Sequence, residues 1–393
     1  MDTAKWGLPA LFGWNCIEPT IMLNSDAELT GKLSEAIARL VPRAFGEGAY
    51  LESLIPARIN RRYSFMFRYW VKKPDQSRHS ILVKIPHQDW VKSMAEAIAS
   101  EQVRQEIKHE FEVMQSIYTV IQNSKHRLLF AINPVGGYIL DFNAIVMEEV
   151  PLRMLKWYLA WFPILADNQL AWMDFERKLS LAGEWLRLIH DAFQQNRIAK
   201  LENLNVRQAF SIEINILEKI TGGRLDSIHA AFQQLYESIK NVDVPISSLH
   251  NDFHLGNIFV TPDGKVGALD PNWKDGGAIY EDLASLLIDP ITGKGQVFFQ
   301  GLAFRRSQRE RFERAVLHGY FGKTVPVYSL VHFYCAWTTL EKWRINEERL
   351  RSAPHVVRRV GSLFIGVYFR RLVRSYLNLG LMSSSTLNVS EVC

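Results

Sequence analysis

Cysteine is scarce in this chain: Cys16, Cys335 and Cys393 are the only three in 393 residues, far apart and without a CxxC pair. That excludes a disulfide framework or a zinc ribbon and fits a reducing compartment. Long apolar runs are missing too. Nowhere do 18 apolar residues follow one another, which argues against a transmembrane helix. The opening stretch MDTAKWGLPALFGWNC has an acid at position 2 and little apolar length, a poor secretory signal, so a cytoplasmic location is expected. Cys393 is terminal and makes no prenylation box. No nucleic-acid-binding motif stands behind the net charge of +5, so no nucleic-acid partner is expected. Internal repeats, low-complexity tracts and a GxGxxG loop are also absent.

What remains is an ordinary globular composition, 48% apolar and 22% charged, long enough for one large bilobal core or two domains. Charge is uneven. From residue 300 onward there are 15 Lys and Arg against six Glu and no Asp, a local balance of +9. Such a surface is either a solvated helical face or a site for an anionic partner.

Residues 50–86 read as three strands, with YSFMFRYWV at 63–71 and HSILVKIP at 79–86 separated by the turn KKPDQS. Residues 101–122 switch to helical period, with Ile107, Phe111, Met114, Ile117, Tyr118 and Ile121 on one stripe. YILDF and AIVMEEV, after Pro134, are further strand candidates; beyond Pro151 the pattern is mostly helical, broken by a hairpin at 249–270 that Pro245 leads into. Strands first and helices second imply an α+β chain. The expected division is a helical extension over 1–45, a β-rich lobe over 46–150, a helical lobe over 151–382 and a frayed tail over 383–393.

The chemistry concentrates in LHNDFHLGNIFVTPDGKVGALD, residues 249–270. His250-x-Asp252-x4-Asn257 sets a carboxylate and an amide five residues apart on a tight loop. IFV and VGAL flank the turn TPDGK as a hairpin, and Asp270 ends its second strand. Phosphoryl transfer asks for positioning and charge neutralisation more than for covalent help. Asp252 suits an acceptor hydroxyl, whose proton it would take or whose attack it would orient. Asn257 and Asp270 suit Mg²⁺, which prefers hard oxygen ligands.

This segment resembles the catalytic and metal loops of the aminoglycoside phosphotransferase and choline kinase group of kinase-like enzymes, and the chain follows that group's plan from about 50 to about 340. The resemblance implies a protein-kinase-like bilobal fold and use of ATP with Mg²⁺. Asp282, in Tyr280-Glu281-Asp282-Leu283-Ala284, resembles the acidic residue that braces the catalytic loop. His190, in GEWLRLIHD, resembles a helix preceding that loop and reads as structural. Two departures stand out: Asn251 where many relatives have Gly, and Pro271 where an aromatic residue is usual.

Lys84 in ILVKIP resembles the phosphate-binding lysine of the third strand. Its carboxylate partner must come from the following helix, where Glu106, Glu110 and Glu112 compete. Glu110 lies three residues after Ile107 and four before Met114, on the inward stripe, whereas Glu112 faces away. The phosphate-covering turn is expected at 58–64, and the adenine against the backbone of Met147, Glu148, Glu149 and Val150.

The acceptor is the open question. A basic C-terminal third favours a neutral or anionic hydroxyl, such as a sugar or an envelope glycan precursor. Tyr334, Trp337, Glu341 and Trp343 offer the alternative of an aromatic cage for choline or ethanolamine, and an aminoglycoside is a further alternative. Two readings from other classes are a catalytically inactive scaffold and a protein that touches an anionic membrane surface, through 154–173 or through 356–374 with its five arginines.

Overall fold

The computed structural model describes residues 24–61, 63–87, 91, 93–160, 168–302, 304–351 and 354–390. Residues 1–23 of the expected extension, Arg62 of the phosphate-covering turn, and 161–167 of the membrane-surface stretch lie outside them. The chain forms two compact units, one reaching to Ser116 and taking in Ile132–Val150, the other holding Ile117–Ala131 and everything from Pro151 onward.

The first unit begins with helix α1 (Asn24–Phe45), followed by β1 (Tyr50–Leu51), β2 (Ala57–Asn60), β3 (Ser64–Lys72) and β4 (Arg78–Pro86). Helices α2 (Met94–Ala99) and α3 (Glu101–Asn123) come next, then β5 (Gly137–Ile139) and β6 (Ala144–Glu148). The sheet runs β1-β3-β4-β6-β5, with β2 also on β3, and its named pairs are antiparallel. Alternation in β3 and β4 turns Phe67, Tyr69, Val71, Ile81, Val83 and Ile85 into the core. α1 is no appendage. Its Leu33, Ile37 and Val41 are completely buried in that same core, each contributing about 1.5–3 kcal/mol. Ser34 Oγ also lies 2.9 Å from the hydroxyl of Tyr69, whose ionisation burial pushes up to about 12. YILDF is a strand only as far as Ile139; Leu140–Phe142 coil into a 3₁₀ turn closed by Asn143 in the left-handed region.

The second unit has more strand than the sequence suggests. After β7 (Arg153–Met154), α4 (Lys156–Ala160) and α5 (Gln169–Phe193) come β8 (Gln194–Lys200), α6 (Val206–Thr221), α7 (Asp226–Ile239) and β9 (Asp243–Leu249). β10 (Ile258–Val260) and β11 (Val266–Ala268) form the expected hairpin, with β7 on the other edge of β10. β12 (Lys274–Ala278) closes a second sheet, β12-β9-β8. Pro245 therefore sits inside a strand rather than leading into the hairpin. It is tolerated because β12 begins pairing only at Ile246, leaving Pro245 a neighbour on one side alone, Ile198.

The helices that follow are α8 (Ile279–Thr292), α9 (Lys294–Phe298), α10 (Arg306–Phe321), α11 (Tyr328–Leu350) and α12 (His355–Ser390). α12 continues through 383–390 of the stretch expected to fray; 391–393 lie outside the described residues. α5 and α10 cross at Gly183 and Gly319, where an added Cβ would stand 2.3 Å from Val316 O and 1.9 Å from Ser180 O. Only glycine permits that approach, and it brings His190 of α5 to Tyr320 of α10. No described helix is long and apolar enough to cross a membrane.

Candidate active site

Each unit carries a cluster of chemical groups. In the first, Lys84 projects from the middle of β4, and its Nζ lies 2.6 Å from Glu110 Oε1 on α3. Both side chains are mostly shielded, so the pair is held in one geometry. At the end of β6 the Arg68 guanidinium grips Glu149 with two hydrogen bonds, Nε to Oε2 at 2.6 Å and Nη2 to Oε1 at 2.5 Å. The backbone expected to meet an adenine is partly spoken for. Met147 pairs with Leu82, the Glu148 N–H donates to Asn133 O, and the Glu149 N–H donates to Ser80 O. Among the described residues none accepts from the N–H of Val150, which is left as the donor of this stretch.

In the second unit the loop from His250 to Asn257 joins β9 to β10. Asn251 has φ +59°, the left-handed region, which asparagine tolerates better than most residues. Asparagine can therefore hold this position of the loop without a glycine. Asp282, at 1% exposure, accepts the N–H of His250 and of Asn251, both at 2.8 Å, and lies 3.1 Å from His190 Nε2. His190 Nδ1 in turn meets the Tyr320 hydroxyl at 2.7 Å. One turn-pair further along α8, Asp289 Oδ2 accepts the N–H of Leu255 at 3.2 Å. Two carboxylates seven residues apart on one helix face thus hold both ends of the loop.

Within the loop, Asn257 Nδ2 donates to Asp252 Oδ2 at 2.8 Å and to the Asp252 carbonyl at 3.1 Å. With its nitrogen committed to Asp252, the amide turns its oxygen elsewhere. His254 Nε2 stands 3.4 Å from Asp252 Oδ1, and His254 Nδ1 accepts the N–H of Gly256, which leaves any imidazole proton on the side of Asp252. Burial alone would raise the Asp252 carboxyl, but the hydrogen bond and charge of His254, with the amide of Asn257, hold it below the ordinary aspartate value. It is a carboxylate at neutral pH. Burial pushes His250 the other way, toward the neutral imidazole; its ring packs edge-on against Trp185 and Phe253.

Asp270 ends the hairpin two residues past Ala268, with φ +52° and an exposed side chain. Leu269 N–H donates to Asn257 O at 2.9 Å, so the backbone ties the two expected metal ligands together. Among the described residues no group of three or more His, Cys, Asp or Glu could hold a metal by itself. One carboxylate and one amide oxygen still suit Mg²⁺, which retains waters and takes phosphate oxygens to complete its shell.

Sequence reasoning left out His254 and Asp289. The first had a signal in its place two residues after Asp252; the second had one in its seven-residue interval from Asp282.

A third group lies along α8 and α11. Tyr280 stacks on Tyr334 with centroids 5.8 Å apart, and Tyr334 on Trp337 at 6.2 Å. Trp337 Nε1 donates to Glu341 Oε1 at 3.0 Å. Burial raises the Glu341 carboxyl, and the charges of Glu213 and Glu281 raise it further, against the opposing pull of Trp337 and Arg344. Glu281 pairs with Lys274 at 2.6 Å and Glu213 with Arg344 at 2.6 Å, while Glu341 has no ion-pair partner among the described residues. The Tyr334 hydroxyl is buried without a hydrogen-bond partner among the described residues. Trp343 instead turns into the core and donates to Glu347.

No protein-family model matches the chain, and no curated protein matches it. Solved structures do. The aminoglycoside phosphotransferase from Alicyclobacillus acidocaldarius superposes with a TM-score of 0.50 at 12% identity, over 84% of this chain and 92% of that one. A choline/ethanolamine kinase family protein from Mesorhizobium loti gives a TM-score of 0.46 at 13% identity, over 90% and 99%. A glucosamine kinase gives 0.47 at 11%, over 87% and 97%. The fold is that of the kinase-like phosphotransferases, a β-sheet unit followed by a mostly helical one.

Proposed function

We propose that this protein is an ATP-dependent phosphotransferase that moves the γ-phosphate onto a hydroxyl of a small molecule. The observation that carries the reading is the Asp252–Asn257 pair on a loop held by Asp282, with Asp270 tied to Asn257 through the hairpin. In this reading Asp252 takes or orients the acceptor's hydroxyl proton at its carboxylate. The free amide oxygen of Asn257 and a carboxylate oxygen of Asp270 hold Mg²⁺. The ion, when bound, neutralises charge on the phosphates. Lys84, fixed by Glu110, serves the nucleotide phosphates, and the Val150 N–H serves the adenine. An inactive scaffold is disfavoured because Lys84, Asp252, Asn257 and Asp270 are all in place. Purified protein with Mg-ATP and a panel of hydroxyl compounds tests the reading; nucleotide binding without ADP formation on any of them would favour the scaffold.

Asp270→Ala is expected to act on metal-dependent binding rather than on the fold, since its side chain is exposed. ATP titrated calorimetrically with and without Mg²⁺ should lose most of its magnesium dependence in the variant. An unchanged dependence would take Asp270 out of the metal site.

The acceptor class follows from the third group. Glu341 is an acid without an ion-pair partner among the described residues, beside stacked aromatic rings, and a bound cation would favour its charged form. Of the arginines that suggested an anionic acceptor, four on α10 and α11 are engaged: Arg311 with Glu176, Arg344 with Glu213, Arg306 with Glu310, and Arg309 over Tyr376. An amino or quaternary-ammonium alcohol is therefore the acceptor we propose in place of a neutral or anionic sugar. On the panel, kcat/KM for amino alcohols should exceed that for uncharged sugars at least tenfold, and Glu341→Gln should remove about 1–2 kcal/mol of that preference. Preference for a sugar phosphate or neutral glycan, unaltered in Glu341→Gln, would return the acceptor to the other class.

A further inference from the structure

α12 has two faces of different character. Ile365, Tyr368, Phe369, Leu372 and Val373 are buried. On the other side Val360, Leu363, Phe364 and Val367 recur at helical spacing and face solvent, Leu363 at 66% exposure. Beside them, α9 and the turn after it present Phe298, Phe299 and Leu302, at 72%, 54% and 79% exposure.

The two sets form one patch. Gln300 lies between them, its side-chain amide donating to Phe364 O at 3.1 Å while the Arg371 guanidinium donates to its carbonyl. The turn is seated closely, for a Cβ on Gly301 would stand 3.3 Å from the Tyr368 ring. The two segments that carry the patch hold charge of one sign. No Asp or Glu occurs from Gly293 to Arg309 or from Arg351 to Ser390, whereas Arg305, Arg358, Arg359 and Arg371 are exposed. Monomeric proteins rarely leave so much contiguous apolar surface open.

We infer that this α9–α12 face is a docking surface for an anionic lipid bilayer, on which the protein lies with Phe298, Phe299, Leu302, Leu363 and Phe364 at the level of the headgroups. Aromatic and aliphatic side chains rimmed by arginine are the composition of an interfacial helix. Arginines near an anionic leaflet gain attraction that apolar burial alone would not supply. A second copy of the chain fits less well, because a two-fold contact would set arginine against arginine. A span is excluded for the described helices, so the contact is peripheral. The inference stands apart from the proposed chemistry, since it uses none of the residues assigned to transfer.

Flotation of the full chain tests it, using vesicles of equal parts phosphatidylcholine and phosphatidylglycerol beside vesicles of phosphatidylcholine alone. The protein should float with the mixed vesicles and about tenfold less with the neutral ones. Arg358→Glu with Arg359→Glu should cut binding to the mixed vesicles about tenfold, and raised salt should mimic it. Leu302→Asp with Leu363→Asp should cut it at least as much, with the melting temperature of either double variant unchanged. Absence of flotation with the mixed vesicles, or equal flotation by both double variants, overturns the inference. So does lipid-free sedimentation as a dimer that Leu363→Asp dissociates, which would assign the face to a second copy.

Discussion

Asp252→Asn should abolish phosphoryl transfer, lowering kcat about 10²- to 10⁴-fold, or roughly 3–6 kcal/mol of transition-state stabilisation, while ATP affinity and melting temperature stay near those of the parent protein. The amide keeps the shape of the side chain and one acceptor for Asn257, so the loop survives. What disappears is the carboxylate that His254 and Asn257 hold below its ordinary value. The direction of that shift fixes the pH dependence: the ionised form persists as pH falls, so kcat/KM should show no Asp252-related loss from neutral pH down to about 5. Single-turnover measurement with labelled ATP decides the matter. Turnover within tenfold of the parent would remove Asp252 from the chemistry.

Asp282→Ala is expected to be the most damaging substitution outside the reacting groups. It strands the N–H donors of His250 and Asn251 and the imidazole of His190 in a buried place. Breaking such a network by removing one charged member costs about 3–5 kcal/mol. The melting temperature should fall by about 6 °C or more, and kcat should fall well beyond what the lost stability accounts for at 25 °C, because the loop that positions Asp252 is released. Asp282→Asn separates the two effects: it keeps two acceptor lone pairs on one oxygen and should recover part of the stability with less of the activity. An Asp282→Ala protein that melts with the parent would show that the backbone alone holds the loop.

The parts legible in the sequence were those where local pattern and geometry coincide. Alternation over 64–86 marks β3 and β4, and the 3.6-residue stripe picks Glu110 out of three candidates, which the fold then places 2.6 Å from Lys84. The hairpin at 258–268 is written in its turn residues. The β8-β9-β12 sheet was not legible. Gln194–Lys200 is polar, Lys274–Ala278 carries two glycines, and β9 contains a proline, so each strand looks like loop until its neighbours pair with it. Charge is a coarse guide for a similar reason. A balance of +9 describes a segment, whereas an acceptor meets particular atoms. Arg311 of α10 and Arg344 of α11 are matched to acids from α5 and α6, and Glu341, one of the few acids of that stretch, has no ion-pair partner among the described residues.

The seam that composition draws at residue 45 does not exist in the folded protein. Leu33, Ile37 and Val41 of α1 fill the same apolar core as strands β3 and β4, and Ser34 caps the buried hydroxyl of Tyr69. A shortened chain beginning at Gly46 would keep every residue assigned to transfer and yet open a hydrophobic trench along the sheet that carries Lys84. Trimming for expression, or a fusion partner joined at that point, would thus strip the nucleotide-side unit of an inner wall while leaving its chemistry nominally complete.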